Sequence, residues 1–215
     1  DVKVTGSVTG NNDVAGIVNK IDEDGKIENV AFIGKINSVG NNSTVGGIAG
    51  SNYMGFVNRA YVDATITANN ANASMLVPYV TYMLNSWKSG TKARVTNSVA
   101  KGVLDVKNTR YVGGIVAKTW PYGAVQDNVT YAKVVKGQEI FASNDVDDED
   151  GGPYIKDLFG VIGYSSAEDG TGRDTKSPKK LKHLTKEEAD KRVEGYKITA
   201  DTFVSEPYAL NTLNN

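Results

Sequence analysis

The sequence predicts a mainly β fold: a parallel β-helix, or solenoid, of about four coils with a short helical insertion and a C-terminal, helix-containing cap or linker. Three observations predict it. A five-residue element recurs at long spacing, a glycine-containing turn and an alternating stretch follow each copy, and an apolar stretch closes each unit before a polar turn.

The recurring element is Val14-Ala15-Gly16-Ile17-Val18, then Val45-Gly46-Gly47-Ile48-Ala49, then Val112-Gly113-Gly114-Ile115-Val116, with Met75 to Tyr79 as a degenerate third copy. The copies start 31, 30 and 37 residues apart. The alternating stretches are Gly25 to Asn29, Gly55 to Val57, Val95 to Val99 and Gly123 to Asp127. Ala64 to Thr67 and Lys101 to Val106 are the closing stretches, and Gly40-Asn41-Asn42-Ser43 is a polar turn. One coil cannot bury its apolar residues alone, so it stacks on copies of itself. Valine and isoleucine pack well on a pleated surface, and the paired glycines allow a tight corner or close approach of neighbouring coils. Independent hairpins in a sandwich also give glycine-punctuated strands, but with turns every 8 to 12 residues or so and no long shared period. A right-handed coil is the default for parallel crossovers.

Asn29 and Asn97 lie two residues after Ile27 and Val95, whereas Asn58 and Asn128 are out of that register. They are read as structural turn residues.

Two interruptions of the repeat invite function. Between Ser74 and Gly90 the apolar residues Leu76, Val80, Met83, Leu84 and Trp87 fall at helical spacing, which predicts a helical insertion over about 75–88. The turns before the mid-repeat glycines carry Tyr53, then Tyr82 and Trp87, then Trp120 and Tyr122. Stacking would bring these aromatics to one side as a candidate interaction surface for a protein or a sugar, with a satellite core under the turns as the plainer role.

The repeats are assigned to residues 1–137, and the cap or linker to 138–215. In the second part Asp145, Asp147, Asp148, Glu149 and Asp150 form an acidic cluster, and Lys176, Lys179, Lys180 and Lys182 a basic one. An EF-hand reading fails, because Asp150 stands where the loop needs glycine and Lys156 where it needs glutamate. Thr185-Lys186-Glu187-Glu188 is a capping box, predicting a helix over about 186–193 that stops at Gly195.

The formal net charge of −1 supplies no long-range field for nucleic acid or an anionic membrane, and no run is apolar enough to span a bilayer. Without cysteine there is no disulfide framework, thiolate metal site or cysteine nucleophile. The abrupt start without methionine is read as that of an excised piece. His183 is the single histidine, placed in a lysine-rich loop, and no His-Glu-x-x-His pair exists. No zincin site or serine-histidine triad can be assembled, so no catalytic, cofactor or metal residue is assigned.

The Val-Gly-Gly-Ile element, followed by a glycine turn and Val-x-Asn, resembles the Glug repeat of the immunoglobulin A1-specific zinc metallopeptidases of Gram-positive cocci. The resemblance covers about Asp1 to Gly137 and points to the region upstream of the peptidase domain. It implies an exported or cell-wall-associated parent that cleaves immunoglobulin A1 with zinc bound in its peptidase domain. The implied role of this region is non-catalytic: to support or position that domain, its partner, and to aid capture of immunoglobulin A1. An adhesin module for a host protein or glycan and a carbohydrate-active β-helix are the alternatives.

Overall fold

A computed structural model describes residues 1–81, 93–119, 123–137, 141–144, 154–161 and 181–198. Its strands are β1 (Val2–Gly10), β2 (Val14–Ala15), β3 (Val18–Ile21), β4 (Lys26–Gly46), β5 (Ala49–Tyr53), β6 (Phe56–Ser74), β7 (Tyr79–Thr81) and β8 (Arg94–Thr96). There follow β9 (Val99–Gly113), β10 (Val116–Thr119), β11 (Ala124–Thr130), β12 (Lys133–Val134), β13 (Phe141–Asn144), β14 (Tyr154–Val161), β15 (Leu181–Leu184) and helix α1 (Lys186–Tyr196). The fold is mainly β, and every pairing among the described strands is parallel.

One sheet runs β1-β4-β6-β8-β11-β14-β15, with β2, β9 and β12 attached, and the other runs β13-β10-β7-β5-β3. Each strand pairs with one about a repeat further along the chain, as Val30 with Ala60 and Val99 with Val129. Ile27, Val57, Val95 and Val125 therefore form one column, and Phe32, Val62 and Ala100 another. These columns lead into a core that includes Ile36, Ile48, Ile66, Leu104, Ile115 and Leu158, all buried. Burial of each such side chain contributes about 1.5–3 kcal/mol, so the apolar columns dominate the fold.

The corners explain the asparagines. Asn29, Arg59, Asn97 and Asp127 follow the aligned residues Glu28, Asn58, Thr96 and Gln126, and all four have positive φ, between 50° and 54°. Asparagine and aspartate tolerate this left-handed conformation, which turns each chain segment at the same height. Asn58 and Asn128 flank that corner instead of occupying it, hence their displaced register.

The paired glycines permit close approach. A Cβ on Gly16 would lie 2.3 Å from the Gly47 carbonyl oxygen, and one on Gly47 would lie 2.1 Å from that of Met75. No side chain fits there.

Several expectations are corrected. Val45 and Gly46 pair with Ala73 and Ser74, so the degenerate copy begins at Ala73, two residues before Met75. Small residues take the valine and glycine places, and matching by apolar character alone missed the shift. The predicted helical insertion gives way, over 75–81, to a buried bend and strand β7, which pairs with β5 and β10. Leu76, Val77 and Val80 are all buried, so their spacing reflects enclosure on every side, not one helical face. Residues 82–88 of that expectation lie outside the described residues. His183 stands in β15, opposite Gly160, and not in a loop. Parallel pairing also continues past residue 137, with β14 on β11 and β15 on β14.

Helix α1 begins with the capping box. The Glu188 N–H donates to Thr185 Oγ1 (3.2 Å), and the Thr185 N–H donates to the Glu188 carboxylate (2.8 Å). The helix runs through Gly195 and ends at Tyr196, with Lys197 as a left-handed C-cap. Packing of Val193, Tyr196 and Ile198 against the sheet carries it past the glycine.

Candidate functional site

Tyr53 is the one member of the predicted aromatic strip among the described residues. It ends β5, directly after Asn52, whose buried amide closes the turn: the Gly55 N–H donates to Asn52 Oδ1 (2.8 Å), while Nδ2 donates to the carbonyls of Gly55 (3.1 Å) and Arg94 (3.2 Å). The left-handed Met54 (φ 68°) completes the turn. From the neighbouring strand β3, Lys20 holds its ammonium 4.8 Å from the Tyr53 ring centroid and 2.7 Å from the Asp22 carboxylate. The hydrogen bond to Asp22 raises the Lys20 pKa above the ordinary lysine value, and the charge of Asp22 adds to it. This corner offers a half-buried aromatic ring beside an exposed cation and anion, a surface suited to contact. Tyr53 is level with Thr81 of β7. Tyr82, Trp87, Trp120 and Tyr122 lie outside the described residues, as do the acidic cluster at 145–150 and Lys176, Lys179 and Lys180.

A second aromatic group escaped the sequence reading. On the outer side of the first sheet, Ala31, Tyr61, Val99, Val129 and Phe159 align across successive strands and are buried. Ala189, Val193 and Ile198 at the C-terminal end cover them. Polar contacts fix this cover. Tyr131 donates its hydroxyl to Asp190 (2.9 Å), Arg59 donates to the Lys197 carbonyl (3.4 Å), and the Arg192 guanidinium lies 3.9 Å from the Phe159 ring centroid. Lys101 faces both Tyr61 and Tyr131, at 5.6 and 5.1 Å from their ring centroids. Hydrogen bonds from Lys186 and then Tyr131 hold Asp190 below the usual carboxylate range, against the opposing effect of burial. The legible signal was that Ala31 and Tyr61 each stand between apolar neighbours, the pattern of a strand covered on both faces.

Among the described residues, no three histidine, aspartate or glutamate side chains converge to hold a metal ion. His183 has no second histidine anywhere in the chain. No helix among the described residues is long and apolar enough to cross a membrane.

No family model matches the chain, and no solved structure matches it. Known proteins do: the zinc metalloprotease ZmpB of Streptococcus pneumoniae serotype 4 is 51% identical over 184 residues, or 84% of this chain. The chain is homologous to one segment of a streptococcal zinc metalloprotease. The zinc metalloprotease ZmpC of the same organism is 32% identical over 148 residues, 65% of the chain. The matches span only 9% of ZmpB and 8% of ZmpC. Tyr53, the outer aromatic column and α1 thus belong to a chain resembling a small part of much larger proteins.

Proposed function

We propose that this chain is a non-catalytic β-solenoid module, built of Glug-type repeats, of a secreted or cell-wall-associated bacterial zinc metalloprotease that cleaves immunoglobulin A1. Its role is to support or position the peptidase domain of the same protein, with the Tyr53 corner aiding capture of the substrate. The observation that carries the reading is the 51% identity to a stretch making up 9% of ZmpB, in a chain that contains no His-Glu-x-x-His. The parallel ladder, with its amide-closed corners, supports a scaffold role, because stacked strands present side chains at fixed spacing. Zinc belongs, on this reading, to the peptidase domain.

The test is to excise this segment from the full-length protease. The shortened enzyme is expected to keep its zinc and its cleavage of a short hinge peptide while losing rate on intact immunoglobulin A1. Unchanged cleavage of the intact substrate, with direct affinity of this chain for a host protein or glycan, would replace the reading with that of an adhesin module.

A further inference from the structure

Successive coils carry asparagines at one corner: Gly10-Asn11-Asn12, Gly40-Asn41-Asn42, Ala68-Asn69-Asn70 and Lys107-Asn108. Across β4, β6 and β9 amide hydrogen bonds join them. Asn69 Nδ2 donates to Asn41 Oδ1 (3.5 Å), Asn108 Nδ2 to Asn69 Oδ1 (3.3 Å) and Asn70 Nδ2 to Asn42 Oδ1 (3.3 Å). Beside them Thr67 Oγ1 donates to Asn37 Oδ1 (2.9 Å). Each of these bonds runs from a later coil to an earlier one.

Folding alone does not account for this ridge. Asparagine suits left-handed turns and is disfavoured in strands. Yet Asn41, Asn42, Asn69, Asn70 and Asn108 all lie within strands, and of these only Asn42 has a positive φ. Asn41, Asn42, Asn69 and Asn108 are exposed, and long hydrogen bonds between exposed amides contribute little, because water competes for the same groups. The surroundings are uncharged as well. No charged residue occurs from Ile36 to Asn58 or from Ala64 to Thr81, although lysine, arginine, aspartate and glutamate ordinarily fill exposed positions. Asp13, next to Asn12, has its carboxylate engaged by the N–H (3.1 Å) and hydroxyl (2.7 Å) of Thr44.

The ladder leaves hydrogen-bonding capacity in reserve. A carboxamide has two N–H donors and two acceptor lone pairs, and Asn69 uses one of each within the ladder. A second donor and a second acceptor therefore remain side by side, repeated at the strand spacing of about 4.8 Å. Neighbouring hydroxyls of a sugar present the same pairing of donor and acceptor. A charged ligand finds no counter-charge among these amides. Val39, 60% exposed two residues before Asn41, adds an apolar contact for the C–H face of a sugar ring.

We propose that Asn41, Asn69 and Asn108, with Asn42 and Asn70 beside them, form a binding site for an uncharged polysaccharide. The polysaccharide lies along the stack, with its hydroxyls paired to the amides of successive coils. The inference rests on the asparagine ridge and is independent of the protease reading.

The probes are cellohexaose and chitohexaose, each titrated into the full chain while the asparagine side-chain amides are followed by NMR. Saturable shifts at Asn41, Asn69 and Asn108 are expected with at least one of them, at a Kd of about 1 mM or below. The triple variant Asn41→Ala, Asn69→Ala, Asn108→Ala is expected to bind about tenfold more weakly or worse, with its thermal melt little changed. Asn69→Asp, which keeps the size of the side chain and adds a charge, is expected to weaken binding even if the triple variant does not fold. Absence of a saturable shift with both sugars up to about 10 mM, or unchanged affinity in the folded variants, would overturn the proposal. So would preference for dextran sulfate over uncharged dextran, which would make the ligand an anion. Concentration-dependent self-association that shifts the same amides without sugar would also overturn it, in favour of a second copy of the chain.

Discussion

Asn128 reaches across one strand to Ser98: its buried Oδ1 accepts the Ser98 N–H at 3.0 Å, while its Nδ2 donates to the Val95 carbonyl at 2.9 Å. One side chain thereby satisfies the backbone on both sides of the left-handed Asn97. Replacing Asn128 by alanine strands two buried polar groups and is expected to cost about 2–4 kcal/mol. Urea melts of the variant should show a lower midpoint at unchanged slope. A change below about 0.5 kcal/mol would mean that the amide does not hold the corner.

The glycines make opposite predictions at two positions. Gly47→Ala places a methyl group 2.1 Å from the Met75 carbonyl oxygen and is expected to destabilise by about 3 kcal/mol. Gly195→Ala, in the last turn of α1 with nothing within 4 Å, is expected to stabilise by about 0.5–1 kcal/mol. Thermal melts of the two variants should move in opposite directions.

These contrasts show where the sequence was readable. Val14, Val45 and Val112 repeat in identity, and the structure aligns all three with Ala73 in one column. The Ala73 copy was misplaced because alanine and serine satisfy the same steric demand as valine and glycine without matching them in kind. The capping box at Thr185 was readable because its hydrogen bonds are local, while the passage of α1 through Gly195 depends on residues far away in the chain. Tyr61 and Phe159 gave no periodic signal as a site, because what covers them is helix α1, which is distant from both in sequence. Of the predicted aromatic strip, Tyr53 alone has a described position, and Tyr82, Trp87, Trp120 and Tyr122 lie outside the described residues.

Arg59 is the exception in the corner column, a long side chain in a left-handed conformation. Arg59→Asn relieves strain of about 1 kcal/mol at the corner but removes the hydrogen bond to the Lys197 carbonyl. The variant is expected to have global stability at or above that of the parent and faster amide exchange in α1. Slower exchange in α1 would contradict the contact.

Asp190 links the cover to pH. Its pKa is lowered in the folded chain, so its stabilising effect is present above the unfolded value of 3.8 and is lost as pH falls through the folded value. Exchange in α1 is expected to accelerate relative to the β core as the pH drops below about 4, and Asp190→Asn should remove that dependence. An identical acid response in the variant would assign the effect to other groups.

On the function proposed above, the module assists a catalyst without being one. The most direct measurement adds the purified chain to the separately expressed peptidase domain and follows cleavage of intact immunoglobulin A1, with each piece also assayed alone. No cleavage by the chain is expected, with slow cleavage by the peptidase domain and a faster rate when they are combined that falls when Tyr53 is replaced by alanine. Hydrolysis by the chain alone, or a combined rate equal to that of the peptidase domain, would contradict it.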